Sequence, residues 1–454
     1  MDRYEPPVIH KVEGGFTNKF GRSPGYSRKV RRAIDGVSIE ALVAEHGSPL
    51  FVFSETKIRR LYRDAYQDFS RRYPKVVFAW SYKTNYLGAI CEIMHQEGSI
   101  AEVVSEMEYA KARALGVPGH DIIFNGPLKS SAALEAAVRE GAMINIDHLD
   151  EICDLEVIAE RLGQKVKVGL RLNLDAGIYP QWSRFGFNLE SGQALDAIKR
   201  IVNGGKLIPC GLHCHVGTFV LEPAAYAKQV EKLARFGYEI EDGFGFAMDY
   251  LDIGGGFPSR SRLKASYLPP DVSVPATEEF AEAICDALYR QLRPGHAPKL
   301  ILESGRALID EAGYLITTIE GVKRLADGTR AYVADAGVNL LFTSFWYKYE
   351  IELDREVPGI GEVSVVYGPL CMNLDAIDEG LLLPPLKRGT RLIVAPVGAY
   401  NVTQWMQFIA YRPNVVLIGP QGEVDVIRER EDLSDIVRRE RLPQRLARSS
   451  GAET

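Results

Sequence analysis

Several polar residues that could take part in a reaction lie at the ends of apolar, strand-like runs of this 454-residue chain. Lys83 closes one such run, His213 and His215 lie at the end of another, Gly254–Gly256 follow a third, and Glu303 closes a fourth. A lysine at the mouth of a buried strand becomes an amine nucleophile when desolvation or a neighbouring cation lowers its pKa. Lys83 is therefore a candidate to form a Schiff base.

The three glycines lie in the run Leu251–Pro258 and fit a turn whose backbone N–H groups approach an anion closely, as phosphate sites require. A tight turn between a strand and a helix explains this run equally well when it is taken alone. The run lacks the Gly-Lys-Ser/Thr ending of a Walker loop, and Ser259 stands where a dinucleotide fingerprint has its last glycine. A lysine able to form an imine beside a phosphate cradle indicates pyridoxal 5'-phosphate as the cofactor.

The elements that must position these residues are short apolar strands, which alternate with segments of helical period between about residues 50 and 305. The helical segments include Ser131–Glu140 and Gly192–Val202. The predicted strands are Val76–Ala79, Ile100–Val104, Ile122–Phe124, Met143–Ile146, Val166–Leu172, Leu207–His213, Tyr250–Ile253 and Leu300–Glu303. They predict a (β/α)8 TIM barrel, in which the active site forms at the carboxyl ends of the strands.

After Glu303 the pattern changes to strands without long helices between them. These predicted strands are Tyr314–Ile319, Arg330–Ala334, Val363–Tyr367, Arg391–Ala395, Phe408–Tyr411 and Val424–Ile427. They predict a second, C-terminal β domain, a sandwich or barrel. The predicted division is a barrel over residues 48–306, a β domain over residues 307–430 completed by residues 1–47, and a charged helix or tail over residues 431–454.

Composition narrows the class of protein. The chain is 46% hydrophobic and 25% charged, with a formal net charge of −6 and a pI near 5.9, so it lacks the basic surface of a nucleic-acid binder. Its six cysteines lack the spacing of a zinc site or of a disulfide scaffold, and no metal site is expected. We find no signal peptide and no apolar run that could span a membrane, so a cytoplasmic protein is expected.

Six stretches, in family order, resemble the motifs of the fold-type III pyridoxal-phosphate decarboxylases. Within that group the chain is most similar to the diaminopimelate decarboxylases, with the ornithine decarboxylases more distant. The stretches are Tyr82–Asn85, Gly211–Thr218, Leu251–Pro258, Glu303–Arg306, Gly368–Cys371 with Asp375, and Gly398–Tyr400. The resemblance implies an alanine racemase-like barrel with a C-terminal β domain, an amino-acid decarboxylase, and a homodimer whose active sites are shared across the interface.

The resemblance also implies roles at the cofactor. Lys83 would form the imine, His215 would stack on the pyridine ring, and Glu303 would pair with the ring nitrogen and keep it protonated. Cys371, from the other subunit, would return a proton to the α-carbon after CO2 leaves. The residues that would bind or border the phosphate are Thr218, Gly254, Gly255, Gly256, Arg306 and Tyr400.

The far end of the substrate site departs from the family pattern. The family follows its cysteine with Glu-Ser-Gly-Asp, whereas this chain has Met372–Asp375, and the lost charge-assisted contact is worth about 1.5–3 kcal/mol. The family also places Arg-Pro after Asp-Ala-Gly, whereas no arginine follows Asp335–Gly337 before Arg355. The candidate substrate contacts are Arg184, Met372, Asp375, Asn401 and Gln404.

These departures favour decarboxylation of a non-standard or conjugated diamino acid in a biosynthetic pathway, such as siderophore or specialised metabolism. The alternatives are diaminopimelate decarboxylation in lysine biosynthesis, an amino-acid racemase or epimerase on the same fold, and a non-catalytic relative of the antizyme inhibitors. Cys371 favours decarboxylation, because racemases of this fold use an opposed tyrosine base. Retention of Lys83, His215 and Glu303 disfavours a non-catalytic protein.

Overall fold

A computed structural model of the chain describes residues 29–178, 180–264 and 266–446. Its larger unit is a closed parallel barrel of eight strands that pair in chain order, the last strand pairing with the first. The strands are Val76–Ser81, Ile100–Val103, Ile122–Phe124, Met143–Ile146, Val166–Asn173, Leu207–Cys214, Tyr250–Asp252 and Lys299–Leu302. A short strand, Phe187–Asn188, extends the sheet beside the fifth strand. The predicted TIM barrel is confirmed.

Helices cover the barrel, one before the first strand and one after each of the first seven strands. They are Glu55–Ser70, Gly88–Gln96, Glu106–Ala114, Ser131–Glu140, Leu149–Leu162, Gln193–Gly204, Pro223–Phe244 and Thr277–Gln291. The helix Ser131–Glu140 begins where Ser130 Oγ accepts a hydrogen bond from Ala133 N, and it ends at Gly141, whose φ is 75°. Both helices predicted from the sequence are confirmed within two residues at each end.

A second sheet, of nine strands, forms the β domain. The strands are Leu50–Ser54, Gly313–Arg324, Arg330–Ala334, Glu350–Leu353, Glu362–Tyr367, Ala376–Leu383, Arg391–Ala395, Val415–Ile418 and Val424–Arg428. The long strand Gly313–Arg324 joins the sheet together: its first half pairs with Leu50–Ser54 and Arg391–Ala395, and its second half pairs with Arg330–Ala334. The predicted β domain is confirmed.

One predicted strand, Phe408–Tyr411, is wrong. The segment is irregular, and Ile409 has a φ of 67°, a left-handed conformation that interrupts an extended backbone. Phe408 and Ile409 are 41% and 61% exposed, so the apolar run is not a buried strand. The chain instead forms its strand at Val415–Ile418, all of whose residues are buried.

Short elements complete the structure. They are the hairpin Ala33–Ile34 and Val37–Ser38, the helices Ile39–His46, Pro270–Ser273, Arg306–Ile309 and Leu433–Val437, and the 3-10 turns Tyr82–Thr84, Gly119–Asp121, Asp310–Ala312, Phe342–Phe345 and Gln444–Leu446. Arg262–Leu263 pairs antiparallel with Tyr347–Lys348 and ties a barrel loop to the β domain.

The two units are interleaved in the chain, because Leu50–Ser54 belongs to the second sheet and the next helix already covers the barrel. The domain boundaries predicted at residues 48, 306 and 430 stay a prediction. Parts of the predicted N-terminal and C-terminal segments, residues 1–28 and 447–454, lie outside the described residues. Within the described ranges, none of the helices is long and apolar enough to cross a membrane.

Candidate active site

Lys83 lies at the carboxyl end of the first barrel strand, on the 3-10 turn Tyr82–Thr84. A loop of the β domain holds this turn through backbone contacts. The Tyr400 amide donates a hydrogen bond to the Thr84 carbonyl at 2.8 Å. The Thr403 hydroxyl donates to the Lys83 carbonyl at 2.8 Å. The β domain therefore fixes the backbone from which the Lys83 amine projects.

The Lys83 amine is paired with a buried carboxylate. Its Nζ donates to Glu102 Oε2 at 2.6 Å, and the Glu102 side chain is 1% exposed. Burial by itself lowers the pKa of Lys83, but the carboxylates of Glu102 and Glu303 outweigh burial and hold that pKa above its usual value. The position of Lys83 at a strand end predicts a lowered pKa for its amine. The structure shows the opposite direction, because Glu102, buried in the next strand, contacts the amine.

Glu303 and Asp252 form a second acidic centre, at the ends of the eighth and seventh strands. His213 Nε2 lies 3.5 Å from Glu303 Oε1, and Asn125 Nδ2 also donates to this oxygen. Burial raises the pKa of Glu303, but His213 and Lys83 more than offset this and hold it below its usual range. Burial, with Glu303 beside it, raises the pKa of Asp252 well above its usual value. Glu303 is thus the ionised member of the pair and Asp252 the protonated one.

The ligand atoms of His213, Asp252 and Glu303 lie within 4.8 Å of one another, and their types are those of a metal site. Their mutual contacts already explain this closeness. The expectation of a protein without a metal stays a prediction.

His215 offers an uncharged ring to the site. The Gly255 amide donates to His215 Nδ1 at 3.0 Å, so the ring carries its proton on Nε2. Burial lowers the pKa of His215 to about 3, with a further lowering from Arg171. The edge of the Trp182 ring faces the His215 ring, with the centroids 5.2 Å apart and the planes at 71°. His215 is therefore neutral at physiological pH.

The turn Gly254–Gly256 is closed to any side chain. A Cβ at Gly254 would lie 2.7 Å from His215 Nδ1, and one at Gly255 would approach the carbonyl oxygen of Glu303 to less than 3.0 Å. Gly254 and Gly256 also have φ values of 69° and 93°. The Tyr226 hydroxyl holds the turn from outside by donating to the Gly255 carbonyl at 2.9 Å. Backbone alone can line this side of the site.

Arg306 begins the short helix after the eighth strand and is 8% exposed. Its Nη1 donates to Asp310 Oδ2 at 3.1 Å, and its guanidinium lies 4.3 Å from the centre of the Tyr347 ring. Its Nε is buried and has no hydrogen-bond partner among the described residues. A buried cation with a free N–H at the edge of a cavity is suited to bind an anion.

A cavity of about 630 Å³ opens at this end of the barrel, a volume typical of small-ligand sites. The sequence-predicted residues that line it are Lys83, Arg184, His215, Thr218, Gly255, Gly256, Glu303, Arg306, Tyr400 and Gln404. An amine, a neutral ring, an ionised carboxylate, a turn without side chains and a cation with a free N–H fit pyridoxal phosphate. The residues predicted to hold the cofactor thus converge on one cavity.

Five predicted residues do not line this cavity, and one of them, Gly254, belongs to the glycine turn whose other two residues do. Cys371 and Met372 follow the strand Glu362–Tyr367, and Cys371 is exposed. Asp375 is buried, and its carboxylate accepts the amides of Val338 at 2.8 Å and Leu370 at 2.7 Å. Asn401 is fully buried, with its side chain bonded to other residues of the β domain. Asp375 and Asn401 therefore hold the β domain together.

Sequence reasoning missed Glu102 and gave no role to Arg171. The signal for Glu102 is a charged residue inside the otherwise apolar strand Ile100–Val103. Arg171 lies near the carboxyl end of the fifth strand, is 8% exposed and lines the cavity, with Asp147 Oδ1 3.5 Å from its Nη1. Both are buried charges, which proteins retain where they are paired or functional.

Comparisons with known proteins agree with this geometry. The family model of the pyridoxal binding domain of pyridoxal-dependent decarboxylases matches residues 56–310. The diaminopimelate decarboxylase of Methanocaldococcus jannaschii is 29% identical over 431 residues, which cover 91% of this chain and 95% of that protein. The diaminopimelate decarboxylase of Bacillus subtilis is 30% identical over 422 residues, covering 89% and 94%. The crystal structure of the M. jannaschii enzyme superimposes with a TM-score of 0.84 at 27% identity, covering 93% of this chain and 99% of that one.

Proposed function

This chain belongs to the pyridoxal-dependent decarboxylases, and from that premise we propose that it removes one α-carboxylate of diaminopimelate, which leaves lysine. Its cofactor is pyridoxal phosphate and its reaction is decarboxylation of an amino acid. The observation that carries the choice of substrate is the length of the similarity: it spans 91% of this chain and 95% of a diaminopimelate decarboxylase.

The expectation of a non-standard or conjugated diamino acid is wrong. Relatives with 27–30% identity over 89–91% of the chain are diaminopimelate decarboxylases. Met372 and the missing arginine remove two contacts at the far end of the site, but they do not determine the substrate, because other cavity side chains can replace those contacts.

Arg184 is the best-placed replacement for the missing arginine. Diaminopimelate has a second carboxylate that needs a cation. Of the three arginines that line the cavity, Arg306 donates to Asp310 at 3.1 Å and Arg171 lies 3.5 Å from Asp147. Arg184 is exposed, stacks 5.1 Å from the centre of the Phe185 ring, and has no ion pair within the described part of the chain. It can therefore bind the distal carboxylate without breaking an existing pair.

The residues at the reacting end of the cavity would bind and orient the cofactor and favour its protonated form. Pyridoxal phosphate, when bound, supplies an aldehyde that joins amines and a ring that accepts electrons. Lys83 places its amine at the cavity wall, and Glu303 presents a negative charge that favours a protonated partner. His215 offers a flat uncharged surface, and Arg306 with the glycine turn offers an anion site. Aromatic side chains, among them Trp182, Phe219 and Trp346, line other parts of the cavity.

A homodimer would bring Cys371 to the reaction. Cys371 is exposed and does not line the cavity of its own chain, and Leu374 beside it is 66% exposed. An exposed thiol next to an apolar side chain fits a subunit interface better than open solvent. In this proposal Cys371 of the partner subunit protonates the α-carbon, since a thiol carries the proton that the carbon needs after CO2 leaves. The six unpaired thiols also support a reducing compartment, the cytoplasm.

Release of CO2 from a panel of amino acids tests the proposal. The panel contains diaminopimelate, lysine, ornithine and acyl-conjugated diamino acids, and Lys83→Ala is the matched inactive control. We expect CO2 and lysine to form in equal amounts from diaminopimelate. Release of CO2 from a conjugated diamino acid but not from diaminopimelate would contradict the proposal, and so would racemisation of an amino acid without CO2 release.

A further inference from the structure

Glu102 is held from three sides inside the barrel mouth. Its Oε2 accepts hydrogen bonds from Ser81 Oγ and from Lys83 Nζ, both at 2.6 Å. Its Oε1 accepts a hydrogen bond from Asn125 Nδ2 at 3.1 Å. The side chain is 1% exposed and borders the cavity. Every neighbour donates to it, as an ionised carboxylate requires.

A chain of hydrogen bonds across the barrel interior determines which way the Asn125 side-chain amide points, and therefore that it donates to Glu102. The Tyr250 hydroxyl donates to Asn145 Oδ1 at 2.7 Å, and Asn145 Nδ2 donates to Asn125 Oδ1 at 2.9 Å. The Asn125 amide group must then point its two N–H bonds the other way, toward Glu102 and Glu303. One amide thus holds both carboxylates of the site in place as acceptors.

Glu102 and Glu303 have different neighbours. Glu303 faces His213 at 3.5 Å and is the carboxylate assigned to the cofactor ring. Glu102 has no histidine beside it within the described residues, and the cation that it contacts is the Lys83 ammonium. The titratable groups that interact electrostatically with Lys83 are Glu102 from the second strand, Glu303 from the eighth strand, Tyr400 from the β domain, His215 after the sixth strand and the buried Glu108 from the helix after the second strand. Of these, only Glu102 is hydrogen-bonded to the amine.

We propose that Glu102 is a catalytic carboxylate that receives the Lys83 side chain whenever its amine is not covalently bonded, and that exchanges one proton with it. In the forward direction one N–H bond of the ammonium breaks, an O–H bond forms on Glu102 Oε2, and the electron pair left on Nζ becomes the nucleophile. In the reverse direction the released amine regains the proton and the ion pair forms again. The exchange is balanced and needs no other reactant.

The proposal is independent of which amino acid is decarboxylated, because it concerns the lysine before any substrate binds. Its test therefore uses the cofactor-free protein. An amine-directed acylating reagent is applied across pH 6–11, and the modified fraction of the peptide that contains Lys83 is measured by mass spectrometry. The variants are Glu102→Gln, which removes the charge, and Glu102→Asp, which keeps it. Glu106→Gln is the matched control, because Glu106 is exposed four residues away and does not line the cavity.

We expect Glu102→Gln to lower the pH midpoint of Lys83 acylation by at least about one unit, since burial then acts on the amine without its main counter-charge. Glu102→Asp is expected to lie between Gln and wild type, and Glu106→Gln to match wild type. In the cofactor-loaded enzyme, loss of a proton-transfer group predicts a fall in kcat of about 100-fold or more.

Two results would overturn the proposal. An unchanged acylation midpoint in Glu102→Gln would mean that Glu102 does not hold the ammonium. A shifted midpoint with kcat within twofold of wild type would mean that the pair has no catalytic role. If Glu102→Gln does not fold, Glu102→Asp and Ser81→Ala, which removes one donor to Oε2, give the same readouts. Failure of diaminopimelate turnover would leave the acylation result intact, so the two proposals fail separately.

Discussion

Substitution of Gly255 by alanine tests whether the glycine turn and Glu303 are parts of one rigid site. The added Cβ would come within 3.0 Å of the Glu303 carbonyl oxygen, whereas ordinary contact begins at 3.4 Å. The obstructing atom is backbone, and the same two strand ends are joined by a 2.9 Å hydrogen bond from Glu303 N to Gly254 O. Neither end can yield by a side-chain rotation, so the turn or Glu303 must move by several tenths of an ångström.

The consequence for activity follows from that displacement. A misplacement that approaches 1 Å costs roughly 100-fold in rate, and overpacking of this kind destabilises by about 1–3 kcal/mol. We expect Gly255→Ala to bind pyridoxal phosphate more weakly in an absorbance titration and to lose about 100-fold in kcat/KM. The control is Gly243→Ala, in the barrel helix Pro223–Phe244, where no atom lies within 4 Å of the new Cβ. A Gly255→Ala enzyme with wild-type cofactor affinity and turnover would refute the account of the turn.

Four further predictions concern other parts of the site. Thr403→Val removes the hydroxyl that donates to the Lys83 carbonyl; we expect weaker cofactor binding and a lower kcat, with recovery in Thr403→Ser, and equal values for the two variants would contradict a positioning role. Arg184→Gln is expected to raise the KM for diaminopimelate by roughly 10–100-fold, the worth of a charge-assisted hydrogen bond, with unchanged cofactor affinity, and an unchanged KM would remove Arg184 from the substrate site. Mixing inactive Lys83→Ala and inactive Cys371→Ala subunits is expected to restore up to about a quarter of the activity, because a mixed dimer then contains one intact site; no recovery despite subunit exchange would contradict the shared site. The folded-state pKa of His215, about 3, lies below its unfolded value of 6.5, so the contribution of the neutral ring to stability is complete above pH 6.5 and is lost as the pH falls toward 3. The slope stays below about 1.4 kcal/mol per pH unit, because the ring borders the cavity. Between pH 7.5 and 5.5 the melting temperature of cofactor-free His215→Asn should therefore fall less than that of the wild type, and an equal fall would contradict the assignment.

The barrel strands could be predicted because they are buried on both faces and are therefore continuous apolar runs. The first strand, Val76–Ser81, and the strand Ile122–Phe124 are examples. The β domain was harder, because its pairing partners are distant in the chain. Leu50–Ser54 pairs with strands that begin at residues 313 and 415, and nothing in its own sequence indicates those partners. The apolar run Phe408–Tyr411 was wrongly predicted to be a strand, because apolar residues at a surface have the same local sequence pattern as a buried strand.

The cofactor end of the site could be predicted because its residues stand at strand ends, which the barrel must bring together. Glu102 could not be found in this way, because it lies inside a strand and faces the barrel interior only once the strand is closed into a ring. The substrate end could be predicted least. Asp375 follows a resembling motif, yet both of its oxygens accept backbone amides of its own chain. Whether a side chain faces a ligand or its own backbone depends on loop geometry that residue types do not encode.

The most direct test of the central claim is to reduce the cofactor-loaded protein with borohydride, digest it, and identify the labelled residue by mass spectrometry. We predict a phosphopyridoxyl group on Lys83 Nζ, and no label in Lys83→Ala. Lys129 serves as an internal comparison, because it is a buried lysine that does not line the cavity. Its Nζ donates a hydrogen bond to Glu151 Oε1 at 2.7 Å. A label on Lys129 or on any other lysine, or a wild-type protein that takes up no label, would contradict the assignment of the site.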